Sequence, residues 1–92
     1  MRWLRRALAN LDEEAAFISA DDPAAARIVV ERILTAVARL ADDPAIGRPG
    51  RVPGTRELVV GRTRYLVPYR VRGEVVEILR VFHASRRPPS RG

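Results

Sequence analysis

The sequence predicts an α+β domain: an N-terminal helical hairpin packed on one face of a small antiparallel sheet. Three observations carry that expectation. Apolar residues recur with a period of about 3.6 through residues 4–40, and they alternate with a period of two from residue 57 onward. Between the two regimes, residues 47–54 hold three Gly and two Pro, the composition of a loop.

The first helix is expected from Leu4, where Leu4, Leu8, Leu11, Ala15 and Ile18 form one stripe and Asp12, Glu13 and Glu14 fall on other faces. Ser19-Ala20-Asp21-Asp22-Pro23 interrupts it. Asp22 suits an N-cap and Pro23 the first helical position, so a second helix begins there. It carries Val30, Ile33, Leu34, Val37 and Leu40 and ends near Asp42-Asp43-Pro44. After the loop, Glu57–Val60, Arg64–Val71 and Val75–Phe82 read as three strands rich in Val, Leu, Ile and Tyr. Arg72-Gly73 marks the hairpin between the last two. Pro68 cannot donate to a ladder, so a bulge or an unpaired stretch is expected beside it. A strand formed by residues 1–4 would pair with this meander and complete a four-stranded sheet. The 92 residues are expected to form one domain, 1–92, with 85–92 as a mobile basic tail.

Composition narrows the function classes. The chain contains no cysteine, which removes disulfides, thiolate nucleophiles and the usual zinc frameworks. No apolar run approaches the roughly 20 residues of a membrane span, and no signal-peptide core opens the chain, so a soluble cytoplasmic protein without membrane partners is expected. All 17 basic residues are arginine. Residues 1–46 hold six Arg against eight acidic residues, whereas residues 47–92 hold eleven Arg against three Glu. The second half therefore calls for an anionic partner, nucleic acid or an acidic protein segment.

No Ser/His/Asp set, phosphate-cradling glycine motif or metal-ligand cluster is present, so neither metal nor cofactor is expected. The remaining toolkit of Arg, His and Tyr, with Glu as a further candidate, suits cleavage of RNA by its own 2′-hydroxyl. That reaction needs alignment, proton transfer and stabilisation of charge on phosphorus. His83 is the one imidazole, a side chain that ordinarily titrates near neutrality. Strand alternation puts Arg80 and Phe82 on one face and Val81 and His83 on the other, with Arg86 and Arg87 just beyond. Tyr65 and Tyr69 share a face, and Arg64 and Arg70 share the opposite one. Arg56 and Glu57 open the first meander strand beside the loop that carries Arg48 and Arg51. A face of Arg and Tyr turned to water would hold single-stranded RNA, arginine on phosphate and aromatic rings on bases.

Taken together, "WLRRALANLDEEAAFIS", "DDPAAA", "GRPGRVPGTREL", "YLVPYRV" and "VEILRVFHASRRPP" resemble the RelE/ParE superfamily of type II toxin–antitoxin toxins, in its plasmid-stabilisation branch. The resemblance implies the compact α+β fold of that superfamily and a growth-inhibiting toxin neutralised by a cognate antitoxin in a hetero-oligomer. RelE-like members enter the ribosomal A site and cut mRNA without metal, using basic residues and a C-terminal Tyr or His. ParE-like members act on DNA gyrase without a known catalytic centre. The nuclease reading expects His83 to transfer protons and Arg80, Arg56 and Arg86 to stabilise phosphate. Arg48, Arg51, Arg64 and Arg87 would bind the message, and Tyr65 or Tyr69 would stack a base. The alternative is a gyrase poison that acts by binding, with His83 structural. The sequence departs from several nuclease members in having no aromatic residue directly after His83 and no lysine. Either way, an amphipathic antitoxin helix is expected in an apolar groove beside the two toxin helices.

Overall fold

A computed structural model describes residues 1–85. The elements are β1 (Arg2–Trp3), α1 (Arg5–Ser19), α2 (Pro23–Ala38), a 3-10 turn (Arg39–Ala41), β2 (Arg48–Pro49), β3 (Arg56–Val59), β4 (Tyr65–Arg72), β5 (Val75–Ile78) and β6 (Phe82–His83). The main path of the sheet runs β1-β5-β4-β3-β2, and β6 pairs with β4 beyond the end of β5. The meander is antiparallel as expected, but β1 joins β5 in parallel, with Arg2 opposite Glu77 and Trp3 opposite Ile78. A parallel partner needs a long connection, and the chain from β1 to β5 supplies it through the helical hairpin and strands β2, β3 and β4.

The junction between the helices follows local chemistry. Asp22 Oδ1 accepts a hydrogen bond from Ala25 N at 3.1 Å, and Pro23 occupies the first turn, where its missing N–H costs nothing. The buried stripe of α1 is centred on Ala7 and Leu11, and Leu8, expected inside, is largely exposed. Ala7 is fully buried in its place. In α2, Ala26, Ile33 and Val37 are buried with Leu40 just beyond, whereas Leu34 turns to solvent. The core joins these residues to Leu58, Val60, Tyr65, Val67, Tyr69, Val76, Ile78 and Val81 from the sheet.

The third meander run is not one strand. It breaks at Leu79–Val81, opposite Pro68, which has no N–H to offer a partner. Leu79 N still reaches Pro68 O at 2.9 Å, but Val81 N turns away to Asn10 Oδ1 of α1 at 3.2 Å. The chain then rejoins β4 as β6, with His83 opposite Tyr65 and Phe82 opposite Leu66. The hairpin turn is Gly73-Glu74, one residue later than expected, with Gly73 at φ +60° and Arg72 opposite Val75. The glycine-rich loop also contributes more than a link, because Arg48 and Pro49 pair antiparallel with Glu57 and Arg56.

Candidate functional site

The register sorts the side chains of the sheet into two faces. Tyr69 stands opposite Arg56 and Ile78, and Tyr65 opposite His83; these face the helices. Glu57, Arg70, Glu77 and Phe82 alternate onto the face without helices, together with Arg2 and Arg48, which are their cross-strand partners.

On that open face two buried carboxylates organise the arginines. Glu57 Oε1 accepts from Arg48 Nη2 at 3.1 Å, and Glu57 Oε2 lies 3.4 Å from Arg51 Nε. Glu77 Oε1 accepts from Arg70 Nε at 2.7 Å, with Arg2 and Arg72 each at 4.0 Å from the carboxylate. The Arg70 hydrogen bond holds the Glu77 carboxyl below its ordinary value. Partial loss of solvent pushes the other way, and the charges of Arg70, Arg72 and Arg2 add to the lowering. Five guanidinium groups thus surround two carboxylates, leaving a cationic surface around a fixed frame.

Beside this frame lies a groove of about 510 Å³, lined among others by Leu4, Arg6, Arg51, Leu79, Arg80 and Phe82. The Arg51 guanidinium sits 5.4 Å from the centroid of the Phe82 ring, within cation–π range. Arg80 Nε is buried with no hydrogen-bond partner among the described residues. An apolar floor with a cationic rim suits docking of an acidic surface.

The helix-side groups are arranged differently. Tyr69 is fully buried; its hydroxyl donates to Pro44 O at 2.7 Å and accepts from Gly47 N at 2.8 Å. Tyr65 is also buried, and its hydroxyl donates to Glu14 Oε1 of α1 at 2.8 Å. His83 is half-buried and packs edge to face on Tyr65, and its Nδ1 accepts from Ser85 N at 3.1 Å. It shares a small pocket with Phe17, Ile18, Thr63 and Arg64. Among the described residues, no three His, Asp or Glu side chains are grouped to hold a metal ion.

Residues 1–88 match the family described as the ParE toxin of the type II toxin–antitoxin system parDE. The chain belongs to the ParE toxin family. It is similar to the putative toxin Y4kP of Sinorhizobium fredii, at 54% identity over 97% of this chain and 92% of that protein. Toxin RelE2 of Caulobacter vibrioides is 38% identical over 91% of this chain and 93% of its own length. Among solved structures, a chain of the chromosomal ParDE system from P. aeruginosa superposes with a TM-score of 0.80 at 32% identity, covering 91% of this chain and 94% of that one. As a ParE-family toxin of a type II system, this protein has an antitoxin as its partner.

Several residues nominated from the sequence of this toxin have other work. Tyr65 and Tyr69 were expected to stack bases, but both face the helices and spend their hydroxyls inside the fold. They brace α1 and the loop before β2. Arg56, expected at phosphate, donates instead to Gly47 O at 2.8 Å and to Ala45 O at 3.3 Å, pinning that loop. It does not pair with its neighbour Glu57, because adjacent strand residues point to opposite faces. Arg48, Arg51 and Arg80 do share the open face. Arg64 lies with His83, and its Nη1 donates to Ser85 Oγ at 3.2 Å. Arg86, Arg87 and all but the first residue of the expected 85–92 tail fall outside the described residues. Glu57, Glu77, Arg70 and Arg2, which organise the open face of the toxin, had not been nominated. Alternation within β3, β4 and β5 fixes the parity along each strand, and the register between them brings Glu57, Arg70 and Glu77 to one side.

Proposed function

We propose that this ParE-family toxin arrests growth by binding its target rather than by catalysis, and that the target is DNA gyrase. The observation that supports the reading is the division of the groups a nuclease would need. His83 lies on the helix side of the sheet against Tyr65, whereas Arg80, Arg48 and Arg51 belong to the open face. Proton transfer and phosphate stabilisation require groups within reach of the same scissile bond. The match to the ParE family and to a chain of a ParDE system agrees with this reading. The open-face groove, cationic over an apolar floor, supplies the recognition surface. The toxin would work in the cytoplasm, where gyrase acts on the chromosome.

The competing reading, a ribosome-dependent mRNA endoribonuclease, draws on one observation. His83 is partly exposed and lines a pocket with Arg64. Primer extension on a reporter message in a reconstituted translation reaction separates the two. The proposal expects intact message; new 5′ ends that appear only on translating ribosomes would replace it with the nuclease.

The antitoxin would cover a different surface. Ala15, Ala16, Ala26 and Val30 line a shallow trough between α1 and α2, and Leu8, Phe17, Ile28 and Leu34 are exposed on these helices. An amphipathic helix laid there buries apolar area, so the complex should persist in moderate salt. Dissociation of the purified pair near half-molar salt, on the order of several times physiological ionic strength, would contradict this placement.

A further inference from the structure

We infer that a second cationic cleft, built by α2 and the β3–β4 turn, binds the phosphodiester backbone of nucleic acid. The inference stands apart from the gyrase reading and from the open-face groove. The cleft, about 540 Å³, is lined by Arg32 of α2, Arg39 of the 3-10 turn that continues it and Arg62 of the β3–β4 turn, over Ile28, Ala36 and Val60. Among the described residues none of the three arginines forms an ion pair. Glu31, the one acidic residue in the lining, forms none either, which leaves the cleft with a net positive charge. On the open face, by contrast, buried glutamates absorb part of the arginine charge.

The backbone of Arg62 is the second observation. It adopts φ +63°, the left-handed region that a residue with a Cβ rarely occupies, and it is the one non-glycine residue described there. Glycine would fit position 62 without strain. An arginine held there against backbone preference points to a task for its side chain. The turn is also fixed in place. Thr63 Oγ1 donates to Val60 O at 2.8 Å and accepts from Tyr65 N at 3.0 Å, and Arg32 Nη1 donates to Arg62 O at 3.3 Å. Arg32 is therefore tied to the backbone of the turn that carries Arg62 before any ligand arrives.

The spacing favours a run of phosphates over a single carboxylate. Arg39, the C-cap of α2, follows Arg32 by seven residues, about 10 Å along the helix axis. Phosphates of a duplex strand advance about 3.4 Å per nucleotide, so the pair spans roughly three of them. Guanidinium forks match phosphate oxygens in pairs. Contacts of this kind carry no base specificity.

The test is fluorescence anisotropy of the full-length toxin with a labelled DNA duplex of about 20 base pairs, over a salt series from about 50 to 300 mM. Arg39→Gln/Arg62→Gln is compared with Arg5→Gln/Arg27→Gln, which removes equal charge from exposed positions outside the cleft. The cleft variant is expected to bind about tenfold more weakly at low salt. The slope of log K against log salt should fall by about two, one unit per lost phosphate contact. Equal losses in both variants would reduce the effect to general attraction and overturn the cleft. Arg62→Gly provides an independent arm, since it relieves the backbone while removing the guanidinium. Weaker DNA binding with an undiminished melting temperature supports the inference, and unchanged binding overturns it. An RNA duplex in place of DNA shows which backbone the cleft prefers. A polyglutamate peptide that displaces the duplex as well, charge for charge, as a phosphodiester oligomer does would refute the phosphate assignment.

Discussion

The rings of Tyr65 and His83 meet edge to face, with centroids 5.1 Å apart and planes at 88°. Tyr65 in turn donates to Glu14 of α1, so the single imidazole belongs to a chain of contacts that ties β6 and β4 to the first helix. It lies across the sheet from the arginines gathered around Glu57 and Glu77.

His83→Ala is accordingly expected to leave growth arrest within about tenfold of wild type, whereas loss of a general acid or base removes about 10²–10⁴-fold. Loss of the ring contact should lower stability by about 0.5–1.5 kcal/mol. Growth curves after induction, read beside thermal melts, separate the two effects. Abolished toxicity in a variant that still folds and binds antitoxin would contradict the binding mechanism.

Tyr69→Phe should destabilise the fold by about 1–3 kcal/mol, because the buried N–H of Gly47 and the carbonyl of Pro44 both lose their partner. Gly47→Ala should do at least as much harm. A Cβ there would come within 2.6 Å of the Tyr69 ring and hydroxyl and 2.9 Å of Glu57 O. Urea denaturation measures both, and a neutral Tyr69→Phe would mean that water replaces the hydroxyl at no cost.

How much of this was legible in the sequence depends on whether the deciding signal was local. The Asp22-Pro23 cap, the two helices and the change to a period of two are local, and they appear where expected. Leu8 and Leu34 were misplaced because a helix stripe fixes a face only to within a residue, and Ala7 and Ile33 are the residues buried beside them. An interruption beside Pro68 was legible from the missing N–H, but the turn of Val81 N to Asn10 across 71 positions was not. At the site, Arg48, Arg51 and Arg80 could be placed on an exposed face. The tyrosines could not, because whether an aromatic stripe faces helices or water follows from the side on which the crossover packs. The organising role of Glu57 and Glu77 is not legible, because the burial of both carboxylates and their pairing with Arg48 and Arg70 follow from the register between strands.

The pH dependence of stability should carry the mark of Glu77. Its folded pKa is depressed, chiefly by the Arg70 hydrogen bond, so it favours folding when pH exceeds the ordinary glutamate value of about 4.3. That contribution is lost as pH falls from there through the lower folded value. Glu77→Gln should therefore be less stable than wild type at pH 7, and the gap should close as the solution is acidified below about pH 4. Melting temperatures across this range check it; parallel curves for the two proteins would rule the linkage out.

Arg62→Gly should raise stability by about 1 kcal/mol, the order of cost for holding a side-chain-bearing residue in the left-handed region. Chemical denaturation reads this directly. A loss of stability would mean that contacts of the Arg62 side chain outweigh the strain.

The central claim, that the toxin disables gyrase by occupancy, is tested most directly by titrating it into a gyrase supercoiling reaction. The account expects inhibition that requires toxin at stoichiometric concentration over gyrase, persists in His83→Ala and is relieved by the antitoxin. It also expects weaker inhibition when the open face is altered by Arg51→Gln/Arg80→Gln. Undisturbed supercoiling at saturating toxin, under conditions where the same preparation arrests growth, would contradict it.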